Sequence, residues 1–99
     1  MRIAVPHHTT RLAARQKLES RLGSLLSQFG HHADELKHEW AGDTLRFKGK
    51  ARGLSVEGTV DVTDSEIVVE GKLPLIAKPF ERRAKEAIRG ELDSMFRTA

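Results

Sequence analysis

Apolar positions change their spacing along this chain, and each change marks a different element. Leu18, Leu22, Leu25, Leu26 and Phe29 recur at three- and four-residue steps, which places them on one face of a helix. Thr9 or Thr10 supplies an N-cap for it, and Gly30 stands where a left-handed C-terminal cap is wanted. Before this helix, Arg2 to Val5 reads as a short strand closed by Pro6, which donates no hydrogen bond and bars continuation within a sheet.

From Leu36 the period falls to two. Leu36, His38 and Trp40 share one side, with Lys37 and Glu39 on the other. A two-residue turn at Gly42-Asp43, with glycine in the first central position, sets Trp40 opposite Leu45, His38 opposite Phe47 and Glu39 opposite Arg46. The loop "ARG" at 51 to 53 suits a turn ending with Gly53 in a left-handed bulge conformation. Beyond it Leu54, Val56, Gly58, Val60 and Val62 alternate inward. A turn at Thr63-Asp64 then sets Val60 opposite Ile67, Gly58 opposite Val69 and Val56 opposite Gly71.

After Leu73-Pro74 the spacing becomes helical again. Phe80, Ala84, Ala87, Ile88, Leu92, Met95 and Phe96 share a face, with Pro79 in the first turn and Leu75 and Ile76 in a short turn packed beneath. Glu81 with Lys85, Arg82 with Glu86 and Arg89 with Asp93 mark the solvated side. The expected fold is α+β, in the order β-α-β-β-β-β-α. It has an antiparallel sheet of four to five strands and both helices on its single apolar face, and the spacing leaves open where the first strand joins.

Composition narrows this further. Ninety-nine residues suit one domain, residues 1–99, because single cores organise about 100 to 150 residues. Hydrophobic residues make up only 38% of the chain, so the core is thin and one sheet face is wet. The absence of cysteine excludes disulfides, thiolate metal sites and a cysteine nucleophile. No apolar run is long enough to span a bilayer and the first ten residues hold no secretory h-region, which points to a cytoplasmic address.

Three constellations invite a chemical reading. The five histidines, above all "HHADELKH" from His31 to His38, follow no established metal spacing, and no metal or cofactor is expected. His7-His8 could serve as a base but lacks a sequence-evident partner to orient it. Arg46, Lys48 and Lys50 share the outward face of one strand, with Arg52 in the next turn, and could form a surface for an anionic partner. Glu57, Asp61, Glu66 and Glu70 lie on the outward faces beside them, so a ladder of cross-strand ion pairs is expected, with Arg46 facing Glu57. That acidic half, and a net charge of only +3, argue against nucleic acid.

The apolar face offers a different opening. Gly58 and Gly71 point inward and could leave space for an apolar ligand, in a cavity lined also by Trp40, Phe47 and Phe80. A filled core is the competing reading at this chain length. The exposed edge strand of such a sheet also invites a homo-oligomer.

The segments "WAGDTLRF" (Trp40 to Phe47), "DSEIVVEGKLPLIAKPF" (Asp64 to Phe80) and "ERRAKEAIRGELDSMF" (Glu81 to Phe96) occur in that order. Upstream of them His8 precedes the helix "RLAARQKLESRLGSLL". In this order of motifs the chain resembles the polyhydroxyalkanoic acid system family of small bacterial proteins. The resemblance implies an accessory role, without an enzyme activity, in the storage of polyhydroxyalkanoate, the carbon-reserve polyester kept as cytoplasmic granules. It implies a pathway protein or the granule surface as partner and carries over no catalytic residue.

Overall fold

In the computed structural model, which describes residues 1–29, 35–51, 53–72 and 74–97, strand β1 (Arg2–Pro6) leads into helix α1 (Arg11–Phe29). Four strands follow, β2 (Glu35–Ala41), β3 (Thr44–Ala51), β4 (Leu54–Val62) and β5 (Glu66–Lys72). A 3₁₀ turn (Leu75–Phe80) then runs into helix α2 (Glu81–Phe96). The strands make one antiparallel sheet in the order β1-β5-β4-β3-β2, so the fold is the expected α+β arrangement. The question left open by the spacing is answered at β5: β1 adds to the meander there, with Ile3 opposite Val69 and Val5 opposite Ile67.

Local chemistry fixes the ends of these elements. Thr10 is the cap of α1, its hydroxyl accepting the Ala13 N–H at 3.1 Å, which satisfies one of the free donors of the first turn. Gly42 has φ +64°, so a glycine in the first central position lets β2 and β3 join through two residues without steric cost. The resulting register is the predicted one, with His38 opposite Phe47, Glu39 opposite Arg46 and Trp40 opposite Leu45. Gly53 also takes the left-handed conformation expected of it, with φ +78°.

The two later registers differ from expectation by two residues each. Ala51 pairs with Leu54, which shortens the loop and sets Arg46 opposite Thr59 and Lys48 opposite Glu57. At the far turn Thr63 is not a loop residue. Its hydroxyl accepts the Glu66 N–H at 2.9 Å and its own N–H reaches the Glu66 carbonyl at 2.9 Å, so the turn moves to Asp64-Ser65. Val60 then faces Val69, Gly58 faces Gly71 and Glu57 faces Lys72. A slip of two keeps every side chain on its face, which is why the inward set was read correctly while its partners were not.

The core gathers at one end of the inner face. Ile3, Val5, Val62, Ile67 and Val69 from the sheet meet Ala14 and Leu18 of α1 and Leu92, Met95 and Phe96 of α2, with Trp40, Val60, Ile88 and Met1 packed around them. Each fully buried aliphatic side chain contributes about 1.5–3 kcal/mol. Arg11 holds α1 to this end, reaching Asp43 at 3.4 Å and Asp64 at 3.0 Å, one carboxylate in each of two hairpin turns. Arg15, one turn on, lies 4.6 Å over the Trp40 ring.

The C-terminal region departs from expectation in its first half. Leu75 is 84% exposed and Ile76 71% exposed, so neither packs beneath the helix, and Phe80 is 64% exposed instead of facing the core. Ala87 is exposed as well. Beside Gly71, near the end of β5 that leads into this turn, lies Met1. Its amine donates to the Gly71 carbonyl at 3.0 Å and pairs with Glu81 at 3.2 Å, and its Cε methyl lies over Gly71. The expected cap at Gly30, the His31 and His32 pair, Arg52, and the side chains of Leu25, Leu26, Phe29 and Leu36 lie outside the described residues.

Candidate interaction surface

Two surfaces stand apart from the core. The first is the outer face of the sheet, where strand alternation and the observed register bring charged side chains into rows. Arg2, Glu70, Thr59, Arg46 and Glu39 lie side by side across all five strands. The neighbouring row is Lys72, Glu57, Lys48 and Lys37, and Lys50 faces Ser55 in the next. Arg46, Lys48 and Lys50 are exposed together as predicted, whereas Arg52 lies outside the described residues.

The expected ladder of ion pairs forms only in part on this face. Arg2 reaches Glu70 at 3.6 Å, and Thr44 donates its hydroxyl to the Asp61 carboxylate. Arg46 does not face Glu57 but Thr59, and across β4 and β5 Glu57 meets Lys72 while Asp61 meets Val68. The register therefore places Glu57 between Lys72 and Lys48, where opposite charges across strands stabilise the sheet modestly. A shallow depression follows these residues, lined by Lys37, Lys48, Lys50, Glu57, Lys72 and Pro74.

Sequence reasoning missed Lys37 and Lys72 as members of this group. Lys37 was already on the outward side of β2, and the two-residue β2–β3 turn sets it opposite Lys48. Lys72 was missed because the β4–β5 register was set two residues away. The signal that could have found it is Thr63 followed by Asp64-Ser65, a hydroxyl residue able to close the strand pair around a two-residue turn.

The second surface is the 3₁₀ turn. Pro74 and Pro79 bracket Leu75, Ile76 and Lys78, and Phe80 follows at the junction with α2. Glu81 ties this turn to the start of the chain. The hydrogen bond from the terminal ammonium, and then the charge of Lys78 at 3.8 Å, hold the Glu81 carboxyl below the usual carboxylate range.

The remaining candidates lie elsewhere. Phe47 covers Gly58, its Cζ 2.6 Å from where a glycine-to-alanine Cβ would stand, and the Met1 methyl is 3.1 Å from the equivalent point on Gly71. Trp40 borders the core under Arg15, and Phe80 is on the surface. His7 is buried, with both ring nitrogens engaged by backbone: Nδ1 accepts the Thr9 N–H at 3.2 Å, so Nε2–H donates to the Thr63 carbonyl at 2.8 Å. It ties β1 to the β4–β5 turn. His8, beside it, is exposed with φ 56°. Among the described residues no cluster of histidines and carboxylates is placed to hold a metal, and no helix is long and apolar enough to cross a membrane.

A family model described as "Putative polyhydroxyalkanoic acid system protein" matches residues 1–96. Neither a curated protein nor a solved structure matches the chain.

Proposed function

Because the chain belongs to the family of polyhydroxyalkanoic acid system proteins, we propose that it is a non-catalytic accessory protein of polyhydroxyalkanoate storage. It works by contact, with another protein of the system or with the surface of the cytoplasmic granule. The observation that carries this reading is a family match spanning the whole fold, from β1 to the end of α2. Two features of the molecule support contact over chemistry. The buried histidine has both nitrogens committed to the backbone, and the exposed charges spread in rows over an open sheet face instead of converging in a cleft.

Co-sedimentation of the purified protein with native granules, and with granules stripped of their own proteins, tests this reading. Recovery with native granules is expected. Recovery with stripped granules too would identify the granule surface as the partner, and recovery with native granules alone would identify a bound protein. Failure to bind granules, polymer or any protein of the system would overturn the reading.

A further inference from the structure

Charge is distributed unevenly over the chain. Between Lys72 and Arg89 stand six cations and two carboxylates, a net +4, while the whole chain carries only +3. Three large apolar side chains exposed in the C-terminal half, Leu75, Ile76 and Phe80, lie inside this same basic stretch. Leaving them in water forgoes about 1.5–3 kcal/mol each relative to burial, so a fold that keeps all three exposed within one six-residue turn has an element suited to an apolar phase.

We propose that Leu75, Ile76 and Phe80 form a wedge that inserts into an anionic phospholipid surface, with Lys48, Lys50, Lys72 and Lys78 receiving the headgroup phosphates. The geometry joins the two parts. Pro74, the residue before the wedge, lines the same depression as Lys48, Lys50 and Lys72, which sets the start of the apolar turn beside the lysine face. Among the described residues no ion pair holds Lys48, Lys50 or Lys72, which leaves their ammonium groups available to phosphate oxygens. Lys78, half-exposed at the middle of the turn, stands between Leu75-Ile76 and Phe80. Pro74 before the turn and Pro79 within it restrict its backbone, so little conformational entropy is lost on insertion.

Charge complementarity selects the occupant. A neutral polyester offers the apolar phase but nothing for the lysines, whereas an anionic lipid layer offers both, and basic groups beside an apolar insertion are the pair of signals that stable attachment requires. This inference does not depend on the storage role, since it concerns lipid alone.

Flotation with phosphatidylcholine vesicles, and with vesicles that also contain phosphatidylglycerol, tests it on the full chain. Binding is expected only to the anionic vesicles and is expected to weaken with added salt. The double variant L75S/I76S, whose changes are fully on the surface, is expected to lose binding by at least about tenfold while keeping its circular dichroism spectrum. Lys50→Gln and Lys72→Gln are each expected to lower affinity about fivefold. No binding to anionic vesicles, equal binding to neutral ones, or unchanged binding by L75S/I76S would overturn the proposal. Binding to stripped granules without binding to vesicles would overturn it too, while leaving the storage reading intact.

Discussion

Two neighbouring rows of the inner sheet face have the same strand geometry and opposite fates. Ile3, Val69, Val60, Leu45 and Trp40 form one row across all five strands, and Ile3, Val69 and Leu45 are less than 5% exposed. The adjacent row reads Gly71, Gly58, Phe47 and His38, and there His38 is exposed and Phe47 only half-buried. Beyond it Val56 and Gly49 are half-buried as well. The difference lies in what covers them. Ala14 and Leu18 of α1 and the last turns of α2 converge over the first row, while the second is filled from within the sheet by Phe47 and from its edge by Met1. Burial in this fold follows where the helices land, and alternation along a strand only nominates candidates.

The largest expected effect tests the covered end of the sheet, where the helices converge. Ile67→Ala or Phe96→Ala should cost about 3–4 kcal/mol in urea denaturation, because each leaves a cavity among residues drawn from both helices and the sheet. Val56→Ala, on the thin end, should cost less than about 1 kcal/mol. Equal losses at the two ends would erase the contrast.

Gly58→Ala is the exception that sharpens it. Although Gly58 lies in the thin row, a Cβ there would press into the Glu70 carbonyl oxygen and the Phe47 ring, so a backbone strand must move. A loss of about 1–3 kcal/mol is expected from the same denaturation measurement. A neutral result would mean the Phe47 ring is not seated over the glycine.

His7→Ala should rank close behind, at roughly 2 kcal/mol by thermal unfolding, since it removes a buried side chain and its hydrogen bonds to the Thr63 carbonyl and the Thr9 N–H.

The smallest effect belongs to Glu81, at the joint between β5, the turn and α2. Its carboxyl is held below the ordinary value of 4.5 in the folded protein, so the stability it contributes is present above that value and is lost as pH falls through the lower folded one. Melting curves recorded downward from pH 5 should show a slight extra decline in the wild type that Glu81→Gln removes. A decline of the same size in the variant would remove the terminal ion pair from the account.

The hairpin between β2 and β3 was legible in the sequence down to its register, because Gly42 fixes the turn and both faces agree on one pairing. The inward set of β4 and β5 was legible for the same reason of alternation. Their partners were not, since Thr63 joins the ladder through its hydroxyl and backbone while looking like a turn residue. The position of β1 was also hidden, because a five-residue strand ending in proline carries too little pattern to choose a neighbour. The exposed wedge was misread for a different reason. Apolar spacing predicted that Leu75, Ile76 and Phe80 would be buried, and nothing local to "PLIAKPF" reveals that α2 gives the core only its later residues, Ile88 to Phe96. Of the candidate surface, Arg46, Lys48 and Lys50 were read from alternation alone, whereas Lys72 needed the true register.

Hydrogen exchange of the protein, free and bound to native granules, tests the proposal that this molecule acts by contact through the outer face of its sheet and the turn before α2. The account predicts slow exchange in the free protein at Ile3, Val60, Ile67 and Val69, faster exchange through Gly49 and Val56, and protection gained on granules around Lys48 to Lys50 and Lys72 to Phe80. Protection gained instead along the exposed side of α1, with the turn unchanged, would contradict it.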